Sequence, residues 1–225
     1  MATARSADAK ELILAFEQHA NAARAIAMSD YMRNKFSFYG LMKAERTVMW
    51  KPFMKEWASL PYSKAEKIIR ELWKNPHREC QYFAMEYALK LRKQWTQDTL
   101  SLFEEMVQQK SWWDTVDTIA SNLIGRYLQE YPEMIPKAIK RWNASDDMWL
   151  HRVSLIFQLK YGKSTDEQLL FSQCKRFSKE EDFFIRKAIG WSLRQYSKSN
   201  PQAVKTFISL TPLSPLSIKE GSKYI

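Results

Sequence analysis

Apolar residues recur at three- and four-residue spacing along most of the chain, the pattern of helices that bury one face. Two clear runs are Ile68, Ile69, Leu72, Trp73 and Leu100, Phe103, Met106, Val107. No segment shows a sustained alternation of apolar and polar residues, and only five glycines and eight prolines interrupt the pattern. The sequence therefore predicts an all-α protein.

Capping residues and prolines mark the predicted helix boundaries. Asp8 followed three residues later by Glu11 has the form of a capping box and opens the first helix. Gly40 suits the C-terminal cap of the short helical pieces that precede it. A further helix starts near Lys43 and is expected to be disturbed at Pro52, because an internal proline removes one backbone hydrogen bond.

The predicted helices come in pairs with short joints, and similar positions recur in alternate helices. Arg78, Thr115, Arg152 and Arg186 are separated by 37, 37 and 34 residues. A period of roughly 35 to 40 residues with two helices per unit is typical of an α-solenoid of HEAT-like repeats. A globular bundle is the alternative, but it is not expected to space its helix starts so evenly. We expect a single repeat domain over residues 1–225, with residues 1–7 flexible.

In such a solenoid, one helix of each pair lines the concave face, so distant parts of the sequence share one surface. Four of these helices begin near Pro76, Ser111, Asp146 and Asp182. They carry His77, Arg78, Trp113, Asp117, Arg152, Lys160, Lys187, Trp191 and Arg194. The predicted concave groove is therefore basic and aromatic, with a carboxylate among the positive charges.

The charge balance indicates a polyanionic partner. The chain has 35 Lys and Arg against 25 Asp and Glu, a formal net charge of +10. Nine Trp, ten Tyr and twelve Phe accompany this excess, and basic grooves with aromatic side chains are typical of nucleic-acid sites. An acidic protein or a membrane surface is the alternative partner. No apolar run approaches the ~20 residues that cross a bilayer, so a cytoplasmic protein is expected.

Common enzyme signatures are absent from the sequence. It contains no GxSxG, no glycine-rich phosphate loop and no HExxH. The three histidines are far apart, and Cys80 and Cys174 lack metal-ligand spacing, so they are interpreted as buried reduced thiols. We therefore expect neither a metal nor another cofactor.

The segment Lys110–Asp117 places two tryptophans and two aspartates in about two helical turns. Trp113 and Asp117 are four residues apart and share a face, whereas Trp112 points elsewhere and is expected in the core. This pair would suit a flat, positively charged ligand. The alternative is a buried Trp beside a solvent-exposed Asp.

Four separated stretches resemble one known family. They are Lys110–Ile119, Trp149–Arg152 with Phe157–Tyr161, Phe183–Tyr196 and Leu213–Ser217. Together they resemble the AlkD-type DNA glycosylases, and the resemblance extends from about Ser29 to the end of the chain. That family is built of HEAT-like repeats and removes cationic alkylated purines, such as 3-methyladenine and 7-methylguanine, from double-stranded DNA.

The resemblance implies a catalytic site. By motif position the catalytic aspartate corresponds to Asp117, the two lesion-side tryptophans to Trp113 and Trp191, and the cleft arginine to Arg152. An N-alkylated purine already carries positive charge and leaves as a neutral base, so the site needs no general acid. A carboxylate would instead stabilise the developing sugar cation. Arg152 would hold a phosphate and favour the ionised form of Asp117.

Further DNA contacts are expected from the rest of the groove. Tyr31 fits the family's tyrosine in that region, and Lys160, Lys187 and Arg194 are our further choices for contacts with the DNA backbone. Met42 departs from the glutamine that the family commonly has, and it cannot donate the hydrogen bonds of an amide.

Two hypotheses stand at the level of sequence. The first is a monomeric glycosylase. The second is a HEAT-repeat scaffold without catalytic activity that binds DNA or an acidic protein. Asp117 separates the two, because a pure DNA binder gains nothing from an acid among groups that contact phosphate. Phe183 and Phe184 are expected to be core or interface packing residues, with an approach to DNA as the alternative.

Overall fold

A computed structural model describes residues 8–225, and over this range the secondary structure is helical, with one isolated parallel bridge between Ser37 and His77 as the exception. The predicted all-α fold is confirmed. The contacts divide the chain into a first unit ending at Thr96 and a second from Gln97 to Ile225. The single repeat domain and the concave groove stay predictions, and the expected flexibility of residues 1–7 lies outside the described range.

From residue 8 onward, where the structure describes it, the first unit contains five α-helices. They are α1 (Ala9–Gln18), α2 (Ala22–Tyr31), α3 (Lys43–Trp57), α4 (Tyr62–Lys74) and α5 (Arg78–Lys90). The Asp8 side chain accepts a hydrogen bond from the Lys10 amide at the start of α1, as the capping pattern predicts. Edge contacts among Trp57, Phe83 and Tyr87 form an aromatic core.

The segment between α2 and α3 is held by a buried carboxylate. The amides of Tyr39, Gly40 and Leu41 donate hydrogen bonds of 3.0 to 3.1 Å to Glu79, which is fully buried. Gly40 has a φ of +81°, and a Cβ there would lie 2.2 Å from the carbonyl oxygen of Asn21. The prediction that Gly40 caps a helix is wrong, because the residue lies in the irregular segment between α2 and α3, where it packs on the start of α2.

Helix α3 continues unbroken through Pro52 to Trp57, so the expected disturbance does not interrupt it. The missing amide of Pro52 leaves the Val48 carbonyl without its usual helical donor. Val48 is 74% exposed, so water can replace that hydrogen bond.

The second unit contains nine α-helices among its described residues. They are α6 (Thr99–Gln108), α7 (Trp113–Thr118), α8 (Gly125–Glu130), α9 (Ile135–Asn143), α10 (Met148–Ile156), α11 (Glu167–Arg176), α12 (Phe183–Ser197), α13 (Pro201–Leu210) and α14 (Pro215–Gly221). A π-helical segment, Ile119–Ile124, joins α7 to α8. The periodicity of the sequence predicts helix here but not this wider turn.

Helices α12 and α14 pack closely at Gly190. A Cβ at Gly190 would lie 2.4 Å from the Cβ of Glu220 and 2.9 Å from the carbonyl oxygen of Ser217. The Ser217 hydroxyl also donates a 2.9 Å hydrogen bond to the Arg186 carbonyl oxygen. The last helix is thereby fixed against the helix that carries Trp191.

Cys80 and Cys174 are buried free thiols, as predicted. Burial raises the pKa of the Cys174 thiol to about 12, which keeps it protonated. Among the described residues, no helix combines the length and the apolar character that a bilayer crossing requires.

Candidate active site

Helices α7, α10 and α12 bring the predicted site residues to one cavity of about 360 Å³ in the second unit. Its predicted lining residues are Trp113, Asp117, Arg152, Lys187, Trp191 and Arg194. Three further lining residues, Phe183, Phe184 and Glu220, were not predicted to belong to a site. We call this space the Asp117 cavity.

Asp117 and Arg152 form a two-point ion pair in the wall of the Asp117 cavity. Arg152 Nε donates to Asp117 Oδ1 at 2.7 Å, and Arg152 Nη2 donates to Asp117 Oδ2 at 2.9 Å. Arg152 Nη1 donates to the carbonyl oxygen of Phe184. Arg152 is 4% exposed, so it has little freedom to move, and its two hydrogen bonds fix the orientation of the carboxylate. Its expected contact with a phosphate stays a prediction.

An aromatic cluster supports the same wall. Trp112 contacts Trp149 and Phe184 with ring centroids 5.9 and 5.2 Å apart, and it is 7% exposed, which confirms its core position. Phe183, by contrast, is 55% exposed and lines the Asp117 cavity, so it is not a core residue, and its role at an interface or toward DNA stays a prediction. Its place as the first residue of α12, directly after the Asp182 cap, was the available signal.

Two cations of the wall, Lys187 and Arg194, meet at Glu220 together with Lys223. Lys187 Nζ lies 3.0 Å from Glu220 Oε1, while Arg194 Nη1 and Lys223 Nζ lie 2.7 and 2.9 Å from Oε2. Hydrogen bonds from Lys223 and Lys187 lower the pKa of the Glu220 carboxyl to about 2. The sequence offered no periodic signal for Glu220, because its position depends on how α14 packs on α12.

Comparisons with known proteins identify the family of the chain. A family model described as "DNA alkylation repair enzyme" matches residues 12–225. The chain belongs to the DNA alkylation repair enzyme family. It is also similar to a solved structure described as a predicted DNA alkylation repair enzyme from Enterococcus faecalis, with 35% identity and a TM-score of 0.87 over 92% of this chain and 96% of that one. No curated protein matches it.

In this alkylation repair family member, burial raises the pKa of the Asp117 carboxyl above its ordinary value. The hydrogen bonds and the charge of Arg152 lower it in opposition, and the Asp114 charge adds to the rise. The expected effect of Arg152 is therefore present, but desolvation exceeds it. The ion pair limits the rise in the Asp117 pKa that burial causes.

Two other predicted DNA contacts lie outside the Asp117 cavity. Lys160 is exposed and donates to Asn122 Oδ1. Tyr31 lies in the first unit, is 71% exposed, and lines a separate cavity of about 270 Å³ together with Met42. Their contacts with DNA stay predictions.

Proposed function

We propose that this protein is a DNA glycosylase that hydrolyses the N-glycosidic bond of cationic N-alkylated purines in double-stranded DNA. The lesions would be of the 3-methyladenine and 7-methylguanine type. One observation supports the proposal above all: a carboxylate held at two points by a buried arginine lines a cavity that two tryptophans also line. Membership of an alkylation repair family agrees with it.

The chemistry of the lesion decides which groups the site needs. When the bond from C1′ to the alkylated nitrogen breaks, the electron pair stays with the base, which leaves neutral. No acid has to protonate it. The sugar then carries the positive charge, and the Asp117 carboxylate stabilises that charge across a partly desolvated cavity, where electrostatic attraction is stronger than in water.

Asp117 also has a place in the second half of the reaction. A water oxygen bonds to C1′ and releases its proton to solvent, which gives an abasic sugar and the free base. Because Arg152 fixes both carboxylate oxygens, Asp117 can direct that water without losing its own orientation.

Trp113 and Trp191 complete the surroundings of the sugar. The π-face of an indole attracts a cation, and this attraction grows when water is excluded. Both side chains are partly exposed and line the cavity, so a ligand in the cavity would meet them. In this role they stabilise the sugar cation and exclude water.

The DNA backbone would be held by positive and polar side chains. Lys187 and Arg194 lie in the cavity wall, and Lys160 and Tyr31 lie outside it. The net charge of +10 favours such contacts. We propose that the protein acts without a cofactor, as a monomer, on chromosomal DNA in the cytoplasm.

An excision assay tests the proposal. Duplexes containing 3-methyladenine, 7-methylguanine or the uncharged base hypoxanthine are incubated with excess enzyme, and released base is measured by chromatography. We expect release of the two charged bases only. Asp117→Asn should abolish release while DNA binding is kept. Asp114→Asn, which removes the same charge three residues away on α7, is the matched control and should retain release.

Two outcomes would contradict the proposal. Equal rates for Asp117→Asn and wild type would exclude the electrostatic role of this carboxylate. DNA binding by the wild type without release of any charged base would favour the scaffold that lacks catalytic activity.

A further inference from the structure

The Asp117 cavity contains a second carboxylate, that of Glu220, which the proposed reaction does not use. Its side chain is 10% exposed and accepts contacts from Lys187, Arg194 and Lys223. A negative charge in this wall repels DNA phosphates. A groove that binds DNA is therefore expected to hold a carboxylate only where that group has a structural or functional role that offsets the repulsion.

Packing restricts the position of Glu220. Its Cβ lies against the backbone of Gly190, where an added Cβ would come within 2.4 Å. The hydrogen bond from Ser217 to the Arg186 carbonyl oxygen fixes the preceding turn of α14 on α12. The carboxylate is thereby directed at one face of α12.

That face of α12 carries two of the three cations that line the cavity, Lys187 and Arg194; the third, Arg152, lies on α10. Lys187 and Arg194 are seven residues apart, about two helical turns, so they lie one above the other. Glu220 reaches Lys187 with Oε1 and Arg194 with Oε2. One side chain from another helix thus connects two long, flexible cations, which otherwise have many rotamers.

The contacts with Glu220 do not use up the donors of these cations. A lysine ammonium has three N–H groups and an arginine guanidinium has five, whereas Lys187 and Arg194 each meet one Glu220 oxygen. The remaining N–H groups are available to phosphate oxygens.

We propose that Glu220 is a positioning residue that holds Lys187 and Arg194 in the wall of the Asp117 cavity, where both bind phosphates of the DNA backbone. The inference rests on the proposed function for DNA as the ligand, but it does not require base excision. The competing role is that Glu220 occupies the cations in place of phosphate, which predicts the opposite sign in the test.

A double-mutant cycle distinguishes these roles. The proteins are wild type, Glu220→Gln, Lys187→Gln/Arg194→Gln, and the triple variant. Fluorescence anisotropy with an undamaged duplex gives the affinity of each as a function of salt. This readout does not depend on catalysis, so failure of the proposed glycosylase activity would leave the test intact.

If Glu220 positions the cations, Glu220→Gln alone weakens binding about fivefold, because charge-assisted contacts lose their geometry. Lys187→Gln/Arg194→Gln weakens it more and reduces the slope of log affinity against log salt by about two, since each phosphate contact contributes about 0.9. The triple variant then binds like Lys187→Gln/Arg194→Gln. Glu66→Gln, which removes an acid from an ion pair with Arg70 in the first unit, is the control and should bind like wild type.

Three results would overturn the proposal: tighter binding by Glu220→Gln, unchanged binding, or additive losses in the triple variant. Tighter binding would assign the competing role, and additive losses would indicate a general effect on the fold. Should Glu220→Gln not fold, as judged by circular dichroism, Glu220→Asp takes its place in the cycle. It keeps the charge and withdraws the carboxylate by one methylene, so the same weakening and the same coupling are expected.

Discussion

Arg152 binds Asp117 through two parallel hydrogen bonds, from Nε at 2.7 Å and from Nη2 at 2.9 Å. The two residues lie on different helices, α7 and α10, and are 35 positions apart in the chain. A fork of this kind fixes both the direction and the distance of the carboxylate, which a lysine cannot do. Two opposing influences act on the Asp117 pKa: burial raises it, and the hydrogen bonds and charge of Arg152 lower it.

We predict that Arg152→Gln moves the acidic side of the pH–rate profile to higher pH. In the proposed reaction, Asp117 stabilises the sugar cation only as a carboxylate, so activity should be present above its pKa and be lost as the pH falls through it. Burial already raises this pKa, and removing Arg152 takes away the influence that opposes the rise. Single-turnover excision of 7-methylguanine across pH measures the midpoint of the acidic limb. The same midpoint in Arg152→Gln and wild type would contradict the prediction.

The conservative variant Arg152→Lys separates charge from geometry. It keeps a positive charge near Asp117 but cannot form the fork. We expect its midpoint to stay closer to that of the wild type than the midpoint of Arg152→Gln does. Its maximal rate should still fall, because the carboxylate is less firmly oriented.

Substitution of the two adjacent tryptophans should affect different properties, the excision rate for Trp113 and the stability for Trp112. Trp113→Ala removes an indole from the cavity and should lower the excision rate at saturating enzyme by roughly tenfold, a cation–π contribution of ordinary size. Trp112→Ala removes a buried ring and should lower the free energy of unfolding by about 3 to 5 kcal/mol. Urea unfolding and single-turnover excision on both variants check this. A large stability loss in Trp113→Ala would show that its ring is structural.

Features that depend on neighbouring residues could be predicted from the sequence, whereas features that depend on tertiary contacts could not. The cap at Asp8 and the helix start near Asp182 were predicted correctly, because each side chain accepts hydrogen bonds from amides two or three residues away. Gly40 was misassigned because its conformation depends on packing against Asn21, which is remote in sequence. Glu220 escaped prediction for the same reason. Long-range placement leaves no periodic mark in the chain.

The predicted site also combines features that follow from local spacing with features that depend on long-range contacts. The spacing of Trp113 and Asp117 places both on one helical face, and the structure brings both to one cavity with Arg152 and Trp191. Helical spacing alone did not bring α10 and α12 to that face. The repeat pattern and the resemblance to a known family were needed for that step.

Gly190→Ala should destabilise the protein although alanine favours helix. Inside a helix this exchange contributes about 1 kcal/mol of stability by propensity alone. The new Cβ would lie 2.4 Å from Glu220 Cβ, and such overpacking costs about 1 to 3 kcal/mol. We expect the steric effect to win, with a net loss in urea unfolding followed by tryptophan fluorescence. A gain in stability would mean that α14 moves away from α12 without cost.

Glu220 should also make stability depend on pH in the acidic range. The surrounding cations lower its pKa from the ordinary 4.5 to about 2 in the folded protein. A carboxyl with a depressed folded pKa stabilises the native state fully above its unfolded pKa, and that contribution is lost as the pH falls through the folded value. The difference in unfolding free energy between wild type and Glu220→Gln should therefore be largest at neutral pH and shrink between pH 4.5 and about 2. Urea unfolding of both proteins across this range measures it, and a difference independent of pH would show that the cations do not act on the charge of Glu220.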